Sequence, residues 1–389
     1  AADVRDVTQR SESEVGVGLR DGVATGIFGT GTAALSVVKI GAGDTVFGAS
    51  TGGGAVADSF SNYTGNTLVQ EGTLYAGSNN AFSPNSRFIV SDGATLSPSW
   101  AEAGTGFDVT IGSLVGSAGA SVYIDQATLR VGGDNTRDAD FSGIISGFDS
   151  FFYKVGGGVQ TLSGLNTFGG TVVVVQGGLI GTNNSAFGDS GNIIYLGGLP
   201  GLSNGLTGAK VELLLAGTAS EVTNSVTMNS TDGNDEGITV IGTRETSGTY
   251  GFGSGGTVSL YQDISTNVFF EADGASTFKF GDRVVDAGYF AMTNVVKVGA
   301  GTVELRAANN YGRYDTLDPY TPLIGGAAID GGTVIRHGTL SLFDNQALAV
   351  TVVELGDTRY DLNSAYLATT SSLITKTTGS FDPVGNGAS

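Results

Sequence analysis

Short runs of alternating apolar and polar residues recur along this chain and end at glycine or asparagine. In residues 295–305 an apolar–Lys–apolar run is followed by Gly299-x-Gly301 and then by a second run that begins at Thr302. Alternation over about four to eight positions is typical of a β-strand with one buried face. Glycine adopts the positive φ angles of a tight corner without steric cost. The pattern predicts short strands that turn at glycine corners.

The same order of parts occurs near residues 37–82, 152–187 and 295–348. Each copy continues into an Asn-containing corner and a further strand that opens with Gly-Thr-Leu or Gly-Gly-Leu. Residues 313–330 interrupt the third copy, and we expect a loop there. Such strands suit a parallel β-helix, in which each coil pairs with the previous one at roughly 4.8 Å. The fold class we predict is all-β, a right-handed parallel β-helix with loop insertions and roughly 20–25 residues in each coil.

The pattern divides the chain into three parts. Residues 1–20 are the most polar and are expected to form an N-terminal arm or a cap. Residues 21–350 are expected to form the β-helix, and residues 351–389 a last strand and a tail rich in Ser and Thr. We expect one solenoid rather than several globular domains, because stacked coils extend in one dimension without splitting.

The three blocks resemble the autotransporter-associated β-strand repeat, or passenger-associated repeat, of secreted bacterial β-helix proteins. The resemblance is carried by the Lys strand, the Gly-x-Gly corner and the corner that combines Asn, an aromatic residue and Gly in each copy, and residues 141–147 fit the lead-in to the second. It implies a β-helix fold, secretion to the extracellular space or outer cell surface of a bacterium, and an adhesive or structural role.

Composition narrows the classes of partner. The chain has 389 residues, 65 of them Gly, and the hydrophobic share of 40% is enough to fill a core. Its formal net charge of −19 argues against nucleic-acid binding. No apolar run reaches the roughly 18 residues of a transmembrane helix. We expect no nucleic-acid partner and no transmembrane segment.

Catalytic chemistry has little support in the residue types. A Ser-His-Asp site would need His337, the one histidine of the chain, which lies at a repeat corner where we expect a structural role. The acidic clusters of residues 134–140 and 232–237 could serve a polysaccharide-degrading β-helix enzyme. We expect them to be solvated loops, and we predict that the protein is not an enzyme.

The second acidic cluster is a candidate metal site. Asp232, Asn234 and Glu236 precede Gly237 in the manner of the first half of a calcium-binding loop with oxygen ligands. The bidentate Glu expected about six positions later is missing, because Thr243 stands near that place. Calcium at these three residues is the cofactor that the sequence suggests.

The repeats also predict where particular side chains point. Lys39, Lys154 and Lys297 are expected to point outward, where a charge keeps a strand soluble. The aromatic residues of the corners are expected to pack inward; they are Phe82, Phe168, Phe187 and Tyr311.

Three functions fit these features. Valines that would face outward in residues 171–175, a similar run in residues 211–215 and the lack of a capping helix favour self-assembly into an extracellular fibre, sheath or surface layer. Such a homo-oligomer or filament would form through the β-helix ends or a donated N-terminal arm. The alternative is a monomeric adhesin passenger that contacts glycans or a cell surface, and the second alternative is the polysaccharide-degrading enzyme.

Overall fold

The computed structural model of the protein describes residues 15–19, 22–24, 35–47, 61–100, 105–135, 139–199, 210–230, 238–262, 267–286, 294–309, 332–344, 352–355 and 365–369. The regular elements of these residues are β-strands, and their pairings are parallel except in one two-stranded hairpin. The predicted fold class, a parallel β-helix, is confirmed. The chain forms two compact units, Ala1–Asn192 and Ile193–Ser389.

The strands of the first unit are short. They are β1 (Val15–Leu19), β2 (Gly22–Ala24), β3 (Leu35–Lys39), β4 (Asp44–Phe47), β5 (Thr67–Val69), β6 (Thr73–Ala76), β7 (Arg87–Val90), β8 (Thr95–Ser97), β9 (Ser99–Trp100), β10 (Thr105–Gly106), β11 (Asp108–Ile111), β12 (Ser113–Gly116), β13 (Ser121–Tyr123), β14 (Thr128–Val131), β15 (Ala139–Phe141), β16 (Ile144–Ser146), β17 (Ser150–Lys154), β18 (Val159–Leu162), β19 (Gly170–Val174) and β20 (Gly177–Gly181).

Three parallel sheets form the sides of this unit. Sheet 1A has the order β1-β3-β5-β7-β12-β15-β18-β20, sheet 1B the order β2-β4-β6-β8-β13-β16, and sheet 1C the order β11-β14-β17-β19. The chain visits the sheets in turn, since β12, β13 and β14 lie in 1A, 1B and 1C and β15 returns to 1A. One turn of the β-helix is therefore three short strands and three corners. The hairpin β9–β10 interrupts one coil.

The interior of the first unit consists of columns of apolar side chains. In sheet 1C the strand registers align Val109, Leu129, Phe152 and Val172, which are all fully buried. The corner aromatics Phe82, Phe168 and Phe187 are also fully buried, which confirms that they pack inward. Tyr311 lies outside the described residues.

The second unit is built in the same way. Its strands are β21 (Ile193–Leu196), β22 (Lys210–Leu215), β23 (Ser225–Ser230), β24 (Ile238–Thr243), β25 (Thr249–Phe252), β26 (Val258–Gln262), β27 (Asn267–Ala272), β28 (Thr277–Phe280), β29 (Val284–Asp286), β30 (Asn294–Val298), β31 (Thr302–Leu305), β32 (Gly332–Ile335), β33 (Gly338–Leu342), β34 (Val352–Leu355) and β35 (Ala365–Thr369). Sheet 2A has the order β22-β24-β27-β30-β32-β34, sheet 2B the order β25-β28-β31-β33-β35, and sheet 2C the order β21-β23-β26-β29.

Inward asparagines join successive coils. The side-chain oxygen of Asn166 accepts a hydrogen bond from the backbone N–H of Ile145 at 2.8 Å, and its amide donates to the carbonyl of Ala186 at 2.7 Å. These partners lie 21 residues before it and 20 residues after it. One buried side chain thus connects three coils and satisfies backbone groups that the corner leaves unpaired.

The valines that were expected to face outward are covered by the chain itself. Val172, Val173 and Val174 of β19 are fully buried, although successive side chains of a strand point to opposite faces. In β22 both Leu213 and Leu214 are buried. These residues therefore give no reason to expect a second copy of the chain as their cover.

Most of the residues for which the sequence predicts an arm, a loop or a tail lie outside the described residues. Residues 15–19 of the proposed arm form β1, which pairs with β3. Residues 1–14, 313–330 and 370–389 lie outside the described residues, and the three-part division stays a prediction. A search of the described residues finds no helix able to cross a membrane.

Candidate functional site

The Lys strand of each repeat forms the same buried corner. Lys39, Lys154 and Lys297 have exposed fractions of 0%, 1% and 0%, so the prediction that they point outward is wrong. Residues two apart in a strand share a face, and the fully buried Val37 and Phe152 therefore place Lys39 and Lys154 on the inward face. Taking the apolar residues next to each lysine as the inward positions produced the error.

Each lysine donates three hydrogen bonds to backbone carbonyl oxygens. Lys154 Nζ lies 2.6 Å from the oxygen of Val155, 2.7 Å from that of Gly156 and 3.1 Å from that of Gln176 on the next coil. A lysine ammonium has three donors and no acceptor, so three carbonyls satisfy it. This arrangement gives the unpaired carbonyls of a corner a common partner.

The other two copies repeat this set of bonds. Lys39 Nζ donates to the backbone carbonyls of Ile40 and Gly41 in its own corner, at 3.1 and 2.6 Å. It also donates to the backbone carbonyl of Glu71 on the next coil, at 3.1 Å. Lys297 Nζ donates to its corner at 2.6 and 2.7 Å and to the carbonyl of His337 at 3.0 Å. His337 thus lies at a corner and contributes a backbone oxygen to it. We name the three arrangements the lysine corners.

Paired glycines allow the coils of a lysine corner to approach each other. Gly156 and Gly177 both have positive φ, of 66° and 75°. A Cβ atom added to Gly177 would collide with the carbonyl oxygens of Gly156 and Gly158. Gly156 and Gly177, the glycine that opens the next strand, are therefore required by backbone contacts as well as by φ.

Burial shifts the pKa values of two of these lysines. It lowers the pKa of Lys154 from 10.5 to about 8 and that of Lys297 from 10.5 to about 7. Nearby carboxylates oppose the shift: Asp134 acts on Lys154, and Asp273 and Glu271 act on Lys297. The ammonium groups have lost hydration and depend on the carbonyl oxygens around them.

A second buried charge lies on the outer face of sheet 2A. Glu212 is ion-paired with Arg244 and with Lys210, whose Nζ lies 2.6 Å from Glu212 Oε1. Arg244 also pairs with Glu271 at 3.1 Å. Burial alone would raise the pKa of Glu212, but hydrogen bonds from Arg244 and Lys210 outweigh burial and hold it below its ordinary value. This network connects three strands and supplies no free acid for catalysis.

The acidic clusters do not form a site in the described residues. Asp134 accepts a hydrogen bond from Ser113 at 2.9 Å, and Asp140 accepts one from Ser163 at 2.7 Å. Asp232, Asn234 and Glu236 lie outside the described residues, so calcium binding there stays a prediction. Within the described ranges, no group of three or more His, Asp or Glu side chains is placed to hold a metal ion.

The most exposed large apolar side chain of the described residues is Phe148, with an exposed fraction of 72%. It lies at the corner between sheets 1B and 1C, between Gly147 and Asp149, which both have positive φ. Phe148 lies outside the three repeat patterns described for the sequence. A signal was present, because Gly-Phe-Asp between two strands is a turn sequence that leaves its central side chain outside.

The three-sided coils and the repeated lysine corners define a parallel β-helix built from sequence repeats. Comparison with protein-family models agrees, because residues 37–76 and 152–180 match the passenger-associated-transport-repeat. These segments contain the first two lysine corners, and the third corner has the same geometry beyond the matched segments. The chain therefore carries autotransporter passenger repeats, as the residue pattern suggested.

A curated relative supports the same class. The chain is 31% identical over 179 residues to a protein named Adhesin BmaC autotransporter, from Brucella suis biovar 1 (strain 1330). The match covers 43% of this chain and 5% of the relative, so the chain spans a small part of that protein's length. No solved structure matches the chain significantly. The predicted location, secreted and at the outer cell surface, is confirmed by the repeats and this relative.

Proposed function

We propose that this chain forms part of the passenger of an autotransporter-type adhesin and that it acts by surface contact rather than by catalysis. The observation that carries the proposal is the repeated lysine corner, two copies of which match the passenger family, together with the similarity to a protein named as an adhesin. Stacked coils with a filled interior leave the outer faces of the sheets available to a partner. Glycans and proteins of a cell surface are both candidate partners.

Self-assembly into a fibre, sheath or layer is the weaker candidate. Its motives were the valines of residues 171–175, the similar run in residues 211–215 and the lack of a capping helix, and Val173 and Leu214 are buried by the chain itself. The described residues provide no other contact that favours a homo-oligomer or a filament. The polysaccharide-degrading alternative also lacks support, since the described acidic residues Asp134 and Asp140 are engaged by serines rather than gathered in a cleft.

Adhesion of beads that carry the purified chain tests the proposal. Beads coated with the chain are applied to epithelial monolayers and to immobilised matrix proteins and glycans. We expect saturable retention that soluble chain competes away. Beads coated with the thermally unfolded chain are the matched control, because they have the same composition and charge without the fold. Retention equal to that control on every surface would contradict the adhesive role.

A further inference from the structure

Hydrogen bonds to the preceding coil fix the backbone of the Phe148 corner, which consists of residues 147–149. The backbone N–H of Phe148 donates to Asp125 Oδ1 at 2.9 Å, and its carbonyl accepts from the N–H of Gln126 at 2.7 Å. Gln126 and Asp149 both have a φ of 50°, so two successive coils turn in the same way at this point. The corner therefore holds the Phe148 ring outward.

The neighbouring coil leaves space for the ring. A Cβ atom on Gly169 would lie 3.8 Å from Phe148 Cδ1, so the ring stands beside a residue without a side chain. An exposed ring that lies against a glycine loses little entropy when a ligand covers its other face. This geometry distinguishes Phe148 from an incidental surface side chain.

Other exposed apolar residues lie on the strands and coils next to this corner. Tyr123 and Ile144 are exposed on the adjacent strands β13 and β16. Leu165 lies over Ile144 on the next coil, because the flanking Asn166 bonds to the N–H of Ile145. Phe151 is exposed at the start of the following strand. We name these residues, with Phe148, the corner patch.

Arginines of the chain cover three outward aromatic rings elsewhere in the described residues. Arg130 lies 4.8 Å from the ring centroid of Tyr153, Arg306 lies 4.9 Å from that of Phe343, and Arg336 lies 5.7 Å from that of Phe269. These distances are typical of cation–π interactions. Arg130 and Arg306 are also paired with acidic side chains, Asp108 and Glu304.

Phe148 has the ring and the carboxylate of this arrangement without the cation. No arginine or lysine of the described residues stacks on its ring. The exposed carboxylate of Asp149, the next residue, has neither a hydrogen bond nor an ion pair with the part of the chain that the structure describes. The corner patch thus lacks the cation that the chain supplies to the rings of Tyr153, Phe343 and Phe269.

We propose that the corner patch binds an arginine side chain of a partner protein. The guanidinium stacks on the Phe148 ring and pairs with Asp149, and apolar residues beside that arginine cover Ile144 and Leu165. The net charge of −19 attracts such a basic segment and accelerates its encounter with the patch. This inference rests on the proposed adhesive function and names the chemistry of its partner.

Binding of a short synthetic peptide with alternating arginine and leucine to the full chain tests the inference. The control peptide replaces arginine by citrulline, which keeps the planar shape and removes the charge. We expect Phe148→Ala to weaken binding of the arginine peptide by about 3- to 30-fold, the range of a cation–π contact. We expect Asp149→Asn to weaken it by about 2- to 5-fold, as for an exposed ion pair.

Matched variants separate the patch from general charge attraction. Asp44→Asn removes one exposed carboxylate elsewhere in the first unit, and Phe343→Ala removes an exposed ring that Arg306 already covers. Both are expected to bind the arginine peptide as the unaltered chain does. Equal binding by Phe148→Ala and the unaltered chain, equal affinity for the citrulline peptide, or equal losses in Asp44→Asn and Asp149→Asn would each overturn the inference.

The bead assay separates this inference from the proposed function. If coated beads adhere to cells while the peptide does not depend on Phe148, the patch proposal fails and adhesion stands. If the peptide depends on Phe148 while coated beads adhere nowhere, the adhesive role fails and the patch stands. Because Phe148 is 72% exposed, Phe148→Ala is expected to unfold at the same temperature as the unaltered chain, which circular dichroism would check.

Discussion

Substituting Lys154 by methionine tests the lysine corner most directly. Methionine keeps the length and apolar volume of the side chain and removes the ammonium. Three carbonyl oxygens, on Val155, Gly156 and Gln176, then lose their shared donor. Each hydrogen bond from a charged donor contributes about 1.5–3 kcal/mol to stability, so the loss is about 4.5–9 kcal/mol.

The variant also avoids the cost of burying a charge. The fall in the pKa of Lys154 from 10.5 to about 8 corresponds to a burial cost of about 3 kcal/mol at 1.36 kcal/mol for each pH unit. The two effects together predict a net loss of about 1.5–6 kcal/mol in the free energy of unfolding. The hydrogen bonds outweigh burial, and this is why the corner keeps a lysine.

Denaturant unfolding measures the loss, and hydrogen exchange followed by mass spectrometry locates it. We expect faster exchange in residues 155–158 and 176–178, because coils of a solenoid open locally. Arg283→Met, at an exposed cation, is the matched control and is expected to change stability by about 0.5 kcal/mol or less. A Lys154→Met variant with unchanged midpoint and unchanged exchange at both segments would refute the account of the corner.

Three further predictions concern the pH dependence of a lysine corner, the glycine that lets its coils approach, and the Glu212 ion-pair network. The pKa of Lys297 is about 7 in the folded chain and 10.5 when the side chain is in water, so the folded state binds fewer protons than the unfolded state between pH 7 and pH 10. The stability of the unaltered chain relative to Lys297→Met should therefore rise over this range, by up to about 1.4 kcal/mol per pH unit. Parallel pH curves of the two proteins in denaturant melts would contradict this. Gly177→Ala should destabilise the chain by about 2 kcal/mol or more in denaturant melts. Gly157→Ala should not, because its added Cβ meets only Asn135 Oδ1, at 3.8 Å. Equal stability of the two variants would show that the corner does not require a glycine at position 177. Glu212→Ala should lower the thermal midpoint and reduce the free energy of unfolding by about 3–5 kcal/mol, because Arg244 and Lys210 lose the buried carboxylate between them. An unchanged midpoint would show that this ion-pair network does not stabilise the fold.

The repeat pattern was sufficient to predict the fold but not the direction of every side chain. Glycine corners and short alternating runs are local signals, and they identified a parallel β-helix because few other folds turn so often. The same alternation assigned Lys39 to the wrong face, since a shift of one residue in a strand exchanges its faces. The buried Val37 shows the correct phase, and a lysine on an inward face contradicts the usual expectation that charges are solvated.

Contacts between coils could not be predicted in this way. Gln176 follows Lys154 by 22 positions, whereas His337 follows Lys297 by 40 positions, because the coils of the third copy differ in length. The arginines that cover Tyr153 and Phe343 also lie on other strands than their rings. The corner patch is visible only when these arrangements are compared in three dimensions.

The sequence by itself determined the class of fold and the positions of its corners, because glycine φ angles and strand alternation are properties of neighbouring residues. Tertiary structure decided which face each strand buries, which carbonyl oxygens the lysines bind and which aromatic rings an arginine covers. Those outcomes depend on the register between coils, and the register is set by backbone hydrogen bonds between residues that are distant in the chain.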